Sequence, residues 1–234
     1  MKVLVVIPAY NEEESLPSLL AEIREVGYDA LVVNDASTDN TASVVHASGV
    51  PMLSLPVNLG IGGGVQTGFL YGMRNNYDVV VQVDGDGQHN PALIPDLLAP
   101  IAAGEADCVI GSRYMPSCPD TAYKTPFARR MGMLFSTTIL RWGTGLTVHD
   151  TTSGFRALNR KAFCYFAYEY PVDHPEAESL LLLYLRGFKI REMPTRMRAR
   201  HAGQSLFTFF KAAFYPFRVI IGFCGILMRG EKNI

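Results

Sequence analysis

The stretch VVVQVDGDGQH, residues 79 to 89, constrains this chain more than any other. Its β-branched opening suits a strand buried in a sheet, so a strand is predicted over Val79–Val83, and Asp84, Asp86 and Gln88 leave its carboxyl end. Hard oxygen ligands two apart in a turning backbone can both approach one Mg2+ or Mn2+ ion, while Gly85 and Gly87 leave room for a phosphate beside the main chain. The plainer alternative is an Asp-Gly turn closing a hairpin.

The same arrangement recurs upstream. Val3–Ile7 is a second unbroken apolar run, stopped by Pro8 and followed by Ala9-Tyr10-Asn11-Glu12. A helix is expected next, with Ser15 as N-cap, Pro17 in its first turn and Leu16, Leu19, Leu20, Ile23 and Val26 on one stripe. A strand over Ala30–Val33 runs into the polar cluster Asn34 to Asp39, and a short helix over Thr41–Ala47 precedes a strand near Met52–Leu55. Alternation of this kind predicts an α/β fold with a mostly parallel central sheet, helices on both faces, and ligands at the carboxyl edge. In NLGIGGGVQTG, Gly60, Gly62, Gly63 and Gly64 miss G-x-G-x-x-G because the third required glycine falls on Val65, and G-K-[ST] is absent. The segment then reads as a tight entry to a helix over residues 65–75, or as backbone lying near a donor molecule.

Downstream, Pro91 to Ala102 is predicted helical, and a strand over Asp107–Ile110 delivers Gly111-Ser112-Arg113-Tyr114. An arginine there suits a phosphate or the nearby aspartates. Residues 115–125 carry two prolines, with a third following at Pro126, and read as a loop; Arg129 and Arg130 open a helix reaching Trp142, where a solvated basic face is the plainer explanation. Thr151–Leu158 is predicted to be a strand with Ser153-Gly154 at a close approach, Glu176 and Glu178 precede an apolar helix, and Lys189–Met193 is a last strand before Arg196, Arg198, Arg200 and His201.

Composition removes several classes. With 234 residues, 48% hydrophobic content and a net charge of −1, one domain with an ample core is expected and a nucleic-acid footprint is not. Cys108, Cys118, Cys164 and Cys224 show no ligand spacing and are expected to be reduced, mostly packed thiols. Met1-Lys2 leads directly into VLVVIP, too short for an export signal, so a cytoplasmic chain is expected.

In this order and spacing, IPAYNEEESL, VVNDASTD, VDGDGQH, GSRY and TTSGFRAL resemble the family 2 glycosyltransferases of the GT-A (Rossmann-like) fold, above all the dolichol-phosphate mannose synthases and bacterial polyprenyl-phosphate sugar transferases. The resemblance covers residues 1 to 205. It implies that Pro8, Tyr10, Glu12 and Asp35 hold the nucleoside of a GDP- or UDP-sugar, that Asp84, Asp86 and Gln88 hold Mg2+ or Mn2+ and the diphosphate, with Asp86 the direct ligand, and that Arg113, Arg129 and Ser153 surround an acceptor phosphate. Three departures stand out. Asn34 occupies a common aspartate position, Gly87 replaces a larger residue, and HAGQSL lacks a donor-contacting lysine, leaving Arg200 or His201 to take its place.

The chemistry fits these assignments. Displacing a nucleoside diphosphate builds charge on the leaving group, which a metal and cations stabilise. A phosphate monoester, with its second pKa near 6, is already ionised at neutral pH and needs cations to position it rather than a base. Inverting transfer to a polyprenyl or dolichyl phosphate is expected; a soluble sugar or polysaccharide acceptor, a nucleotidyltransferase and a non-catalytic nucleotide-sugar-binding partner of a membrane protein are the alternatives. Residues 206–234 form a second expected unit, an amphipathic helix too short and too interrupted to span a bilayer, with Lys211, Arg218 and Arg229 opposite Phe210, Phe214, Phe217, Ile221 and Met228. It is expected to lie on the inner face of the cell membrane, or else against a second copy of the chain or a small integral-membrane partner.

Overall fold

The apolar runs assemble into one seven-stranded sheet ordered β3-β2-β1-β4-β6-β5-β7. The computed structural model describes residues 1–117, 127–171, 175–198 and 221–228. β1 (Val3–Ala9), β2 (Asp29–Asn34), β3 (Met52–Ser54) and β4 (Val79–Gln82) are parallel neighbours. β5 (Cys108–Ser112) and β7 (Ile190–Pro194) pair in parallel, and β6 (Arg156–Asn159) runs antiparallel to both β4 and β5. The mixed α/β, GT-A-like architecture is as the sequence implies.

Because β1 and β4 are apolar on both faces, a core forms on each side. On one, Val3, Val5, Ile7 and Val81 meet α1 (Leu16–Val26) through Leu16, Leu19, Leu20 and Ile23, α2 (Thr41–Ser48) through Val45, and α4 (Ile94–Ala102) through Ile94, Leu97 and Leu98. On the other, Leu4, Val6 and Val80 meet α3 (Gly60–Arg74) through Val65 and Phe69, α6 (Arg160–Glu169) through Phe163 and Phe166, and α7 (Pro175–Leu185) through Leu180, Leu181 and Leu183. α5 (Phe127–Thr144) adds Leu140 to this second core, and residue Phe223 of the helical segment 221–228 is buried in it.

Several boundaries differ from the sequence reading, each for a local reason. Pro8 does not stop β1: it pairs in register with Val33 of β2, while β4 stops opposite Val6, so no neighbour on that side needs its missing N–H. The glycine run is not an entry to α3 but its first turns, and Gly68 sits where any Cβ would strike the Val6 side chain. The expected strand Thr151–Leu158 pairs with β4 only from Arg156 onward, the Gly111 N–H of β5 donates to the Phe155 carbonyl oxygen at 2.8 Å, and residues 151–154 turn at the sheet's carboxyl edge. Glu176 and Glu178 lie within α7, and α6, capped by Asn159 accepting from the Ala162 N–H, was not anticipated. Cys108 is buried, but Cys224 is exposed.

Candidate active site

The strand order reverses between β1 and β4: β2 and β3 lie to one side, the remaining strands to the other. The loops that leave these two strands meet beside this reversal, and the crevice in which open α/β sheets take their ligands lies at the carboxyl edge outside them. Residues 84–89 follow β4 into it with strict alternation, Asp84, Asp86 and Gln88 partly exposed and Gly85, Gly87 and His89 buried. Gly87 has φ +72°, a conformation that a larger side chain would strain, which accounts for glycine at this position.

Each acidic side chain is held by local bonds. Asp84 Oδ1 accepts from Gln82 Nε2 at 3.0 Å, and the Asp84 N–H donates to His89 Nδ1 at 3.0 Å. That bond fixes His89 with its proton on Nε2, which lies 3.8 Å from Asp84 Oδ2, and the ring stacks on Phe155. Asp86 Oδ1 accepts the Gln88 N–H at 3.0 Å. On the facing wall Ser15 Oγ lies 2.7 Å from Glu12 Oε2 and 2.8 Å from the Gly85 carbonyl oxygen, binding the loop after β1 to the loop after β4.

The residues expected around the nucleoside come together at this edge in unequal states. Pro8 is buried within β1, Tyr10 is exposed, and Glu12 is half-buried. Asp35 is buried, and its two carboxylate oxygens accept the Leu59 and Gly60 N–H groups at 2.7 and 2.8 Å, so it caps the amino end of α3.

Arg113 answers to an acid other than Asp84 and Asp86. Its Nε and Nη2 donate to Asp150 Oδ2 and Oδ1, both at 2.7 Å, and Nη2 also donates to Thr152 Oγ1 at 2.6 Å. The pair is buried. Burial alone would raise the Asp150 carboxyl, but the hydrogen bonds and charge of Arg113 outweigh it and hold that carboxyl below its ordinary value. Ser153 is fully buried and its Oγ accepts the Phe155 N–H, so its hydroxyl is turned inward rather than to the crevice. The next residue, Gly154, abuts the metal motif: a Cβ there would lie 2.5 Å from Asp84 Oδ2.

Asp150, His89 and Arg198 are the contributors that sequence reasoning missed. Arg198 Nη1 donates to both Glu22 carboxylate oxygens at 2.7 Å and its Nη2 to Asn90 Oδ1 at 3.0 Å, and its own N–H donates to the Gln88 carbonyl at 2.9 Å. It thereby fixes the far end of the 84–90 loop. A cation lying 110 residues beyond Gln88 in the chain carries no local sequence signal of this contact. Arg200, His201, the loop from residue 118 to 125, Cys118, Lys211, Arg218 and Arg229 lie outside the described residues, as does the side chain of Arg129.

The donor set suits a hard divalent cation. Among the described residues no group of three or more His, Cys, Asp or Glu could hold a metal unaided. Two partly exposed aspartates opening into a crevice match an ion that takes one or two carboxylates and completes its shell with substrate phosphates and water.

The profile of glycosyl transferase family 2 matches residues 4–166. The undecaprenyl-phosphate mannosyltransferase of Micrococcus luteus is 38% identical over 67% of this chain and 66% of its own length. The polyprenol monophosphomannose synthase of Mycolicibacterium smegmatis is 34% identical over 68% of this chain and 62% of its own length. This chain thus spans somewhat less than two thirds of these relatives. Glucosyl-3-phosphoglycerate synthase of Mycobacterium tuberculosis, solved with Mn2+, UDP and glucosyl-3-phosphoglycerate, superposes with a TM-score of 0.72 at 23% identity, over 96% of this chain and 79% of that one, and attests the fold. With a carboxylate motif at the switch point of such a sheet and the family profile spanning most of the chain, this protein belongs to glycosyl transferase family 2.

Proposed function

We propose that the chain transfers a sugar, with inversion, from a GDP- or UDP-linked donor to a polyprenyl or dolichyl phosphate at the cytoplasmic face of the membrane. The observation that carries this reading is the pair Asp84 and Asp86, both open to the crevice between β1 and β4 and both anchored by neighbouring hydrogen bonds. The lipid-phosphate acceptor is drawn from the names of the two bacterial relatives.

In this reading Asp84, Asp86 and Gln88 hold a Mg2+ or Mn2+ ion, which would neutralise the charge that develops on the leaving diphosphate. Gln82 orients the Asp84 carboxylate and His89 fixes the Asp84 backbone N–H in advance, so the carboxylate need not reorganise as that charge appears. Tyr10 and Glu12 line the nucleoside side. Asp35 contributes by fixing the amino end of α3. Arg113 acts as a positioning residue, because its guanidinium holds the turn that sets Gly154 against Asp84. Ser153 belongs to the same turn. Arg129 supplies a cation that a phosphate nucleophile requires, and Arg200 or His201 serves the donor. Residues 206–234 form the membrane-facing unit; residues Ile221, Leu227 and Met228 of its helical part are exposed, and no helix among the described residues is long and apolar enough to cross a bilayer.

Ligand binding to the folded state raises its unfolding temperature, so a panel of GDP- and UDP-sugars, each with and without Mn2+, tests the donor side. Stabilisation by one nucleotide class, dependent on the metal, is expected. No stabilisation by any nucleotide-sugar in either condition would contradict the proposal.

A further inference from the structure

α5 buries one face and leaves the other without a protein partner among the described residues. Met133, Ser136 and Leu140 point inward, while Met131, Leu134 and Trp142 are 52%, 49% and 94% exposed. At about 100° per residue, Arg130, Arg141, Leu134, Thr138, Met131 and Trp142 follow one another across roughly 120° of the helix surface. All six are exposed. Thr138 Oγ1 donates to the Leu134 carbonyl at 2.6 Å, so the one hydroxyl in the middle of this face is satisfied by the helix itself. No Asp or Glu occurs from Thr121 to His149, and among the described residues neither Arg130 nor Arg141 forms an ion pair.

We propose that this face of α5 is a membrane-docking surface, in which Met131, Leu134 and Trp142 enter the headgroup boundary of an anionic bilayer and Arg130 and Arg141 engage its phosphates. A tryptophan beside aliphatic side chains with arginines along one flank is the chemistry that an acyl-headgroup boundary selects. A second copy of the chain fits less well: a two-fold interface sets the same patch against itself and would bring unpaired arginines together. The buried side of α5 supplies the link to the site. Ser136 Oγ lies 2.6 Å from Thr151 Oγ1, and the adjoining Thr152 binds Arg113. The docking face therefore lies about one helix diameter, roughly 10 Å, from the turn that presses on Asp84. The inference rests on the lipid-phosphate reading for its purpose, but not for its test.

Trp142 is the one tryptophan in the sequence, so its emission reports on α5 alone, whatever residues 206–234 do. The full chain is titrated with vesicles of phosphatidylglycerol and phosphatidylcholine, without donor or acceptor, and with bromine-labelled lipid as quencher. The emission is expected to shift to shorter wavelength and to be quenched, with both effects weaker at high salt. Met131→Glu/Leu134→Glu should abolish the shift, and Arg130→Gln/Arg141→Gln should lower the partition coefficient roughly thirtyfold. If vesicles sediment the protein while Trp142 emission stays unchanged and unquenched, another segment binds and the proposal is overturned. It is overturned equally if the emission is already short without lipid and depends on protein concentration, which would assign the face to a second copy. Turnover with a short, water-soluble prenyl phosphate reports separately on the acceptor reading.

Discussion

Asp84 and Asp86 stand two residues apart, yet the fold has treated their oxygens differently. Asp84 is oriented by Gln82 and His89, whereas Asp86 is tethered by the N–H of Gln88. Asp86→Ala should lower kcat by roughly 100- to 1000-fold and remove the Mn2+-dependent part of nucleotide affinity, because a carboxylate aimed at developing charge is lost. Initial rates and titration calorimetry, each with Mn2+ and with EDTA, check this; full activity in EDTA would refute it. Asp150 makes a second prediction. Its carboxyl is held below the ordinary value, near 3.9, so its stabilisation is complete above that pH and is lost as pH falls through the lower folded value. Asp150→Ala strands Arg113 in the interior and should cost about 3–5 kcal/mol at pH 7. Urea unfolding between pH 7 and pH 3 should show the variant losing less further stability on acidification than the parent; equal slopes would contradict this. The sequence made Arg113 legible as a strand-end cation but not its partner. Asp150 lies 37 residues away and arrives only because β6 returns antiparallel.

At the scale of elements, the buried strands were readable because a run such as VLVVI has no polar face to leave in water. α3 was harder. Glycine disfavours helix, so the run from Gly60 to Gly64 reads as a loop until its neighbours are known. Packing decides the matter: with no Cβ at Gly68 or Gly72, α3 settles directly onto Val6 and Val80, and Asp35 caps its exposed amides. Gly68→Ala should therefore destabilise the fold by about 1–3 kcal/mol although alanine is the better helix former. A chemical denaturation midpoint equal to or above that of the parent would show that the contact relaxes freely. The turn 151–155 misled for the opposite reason. Its β-forming residues look like strand, but β4 ends at Gln82, so nothing remains for residues before Arg156 to pair with on that side. The turn thus formed carries Thr152, Ser153 and Gly154 into the site.

For the whole molecule, the two halves of the sheet do different work. The half built from β1, β2 and β4 sets the carboxylates at the edge, and the half built from β6, β5 and β7 braces them through Gly154, Arg113 and Arg198. Motif spacing revealed the first half because its residues follow their strands directly. The second depends on contacts between distant segments. A chain ending near Ser205 should keep its Mn2+-dependent nucleotide binding and bind anionic vesicles more weakly than the full chain, as sedimentation with liposomes would measure; equal sedimentation would leave membrane attachment to other elements such as α5. The central claim is transfer to a lipid phosphate. It is tested most directly by incubating the purified chain with Mn2+, polyprenyl phosphate and nucleotide-sugars labelled in the sugar, then separating organic from aqueous phases. The account predicts label in a mild-acid-labile lipid that retains a single phosphate, formed only when the polyprenyl phosphate is present and lost with Asp86→Ala. Label that stays in the aqueous phase with every donor, as free sugar or on a soluble acceptor, would contradict it.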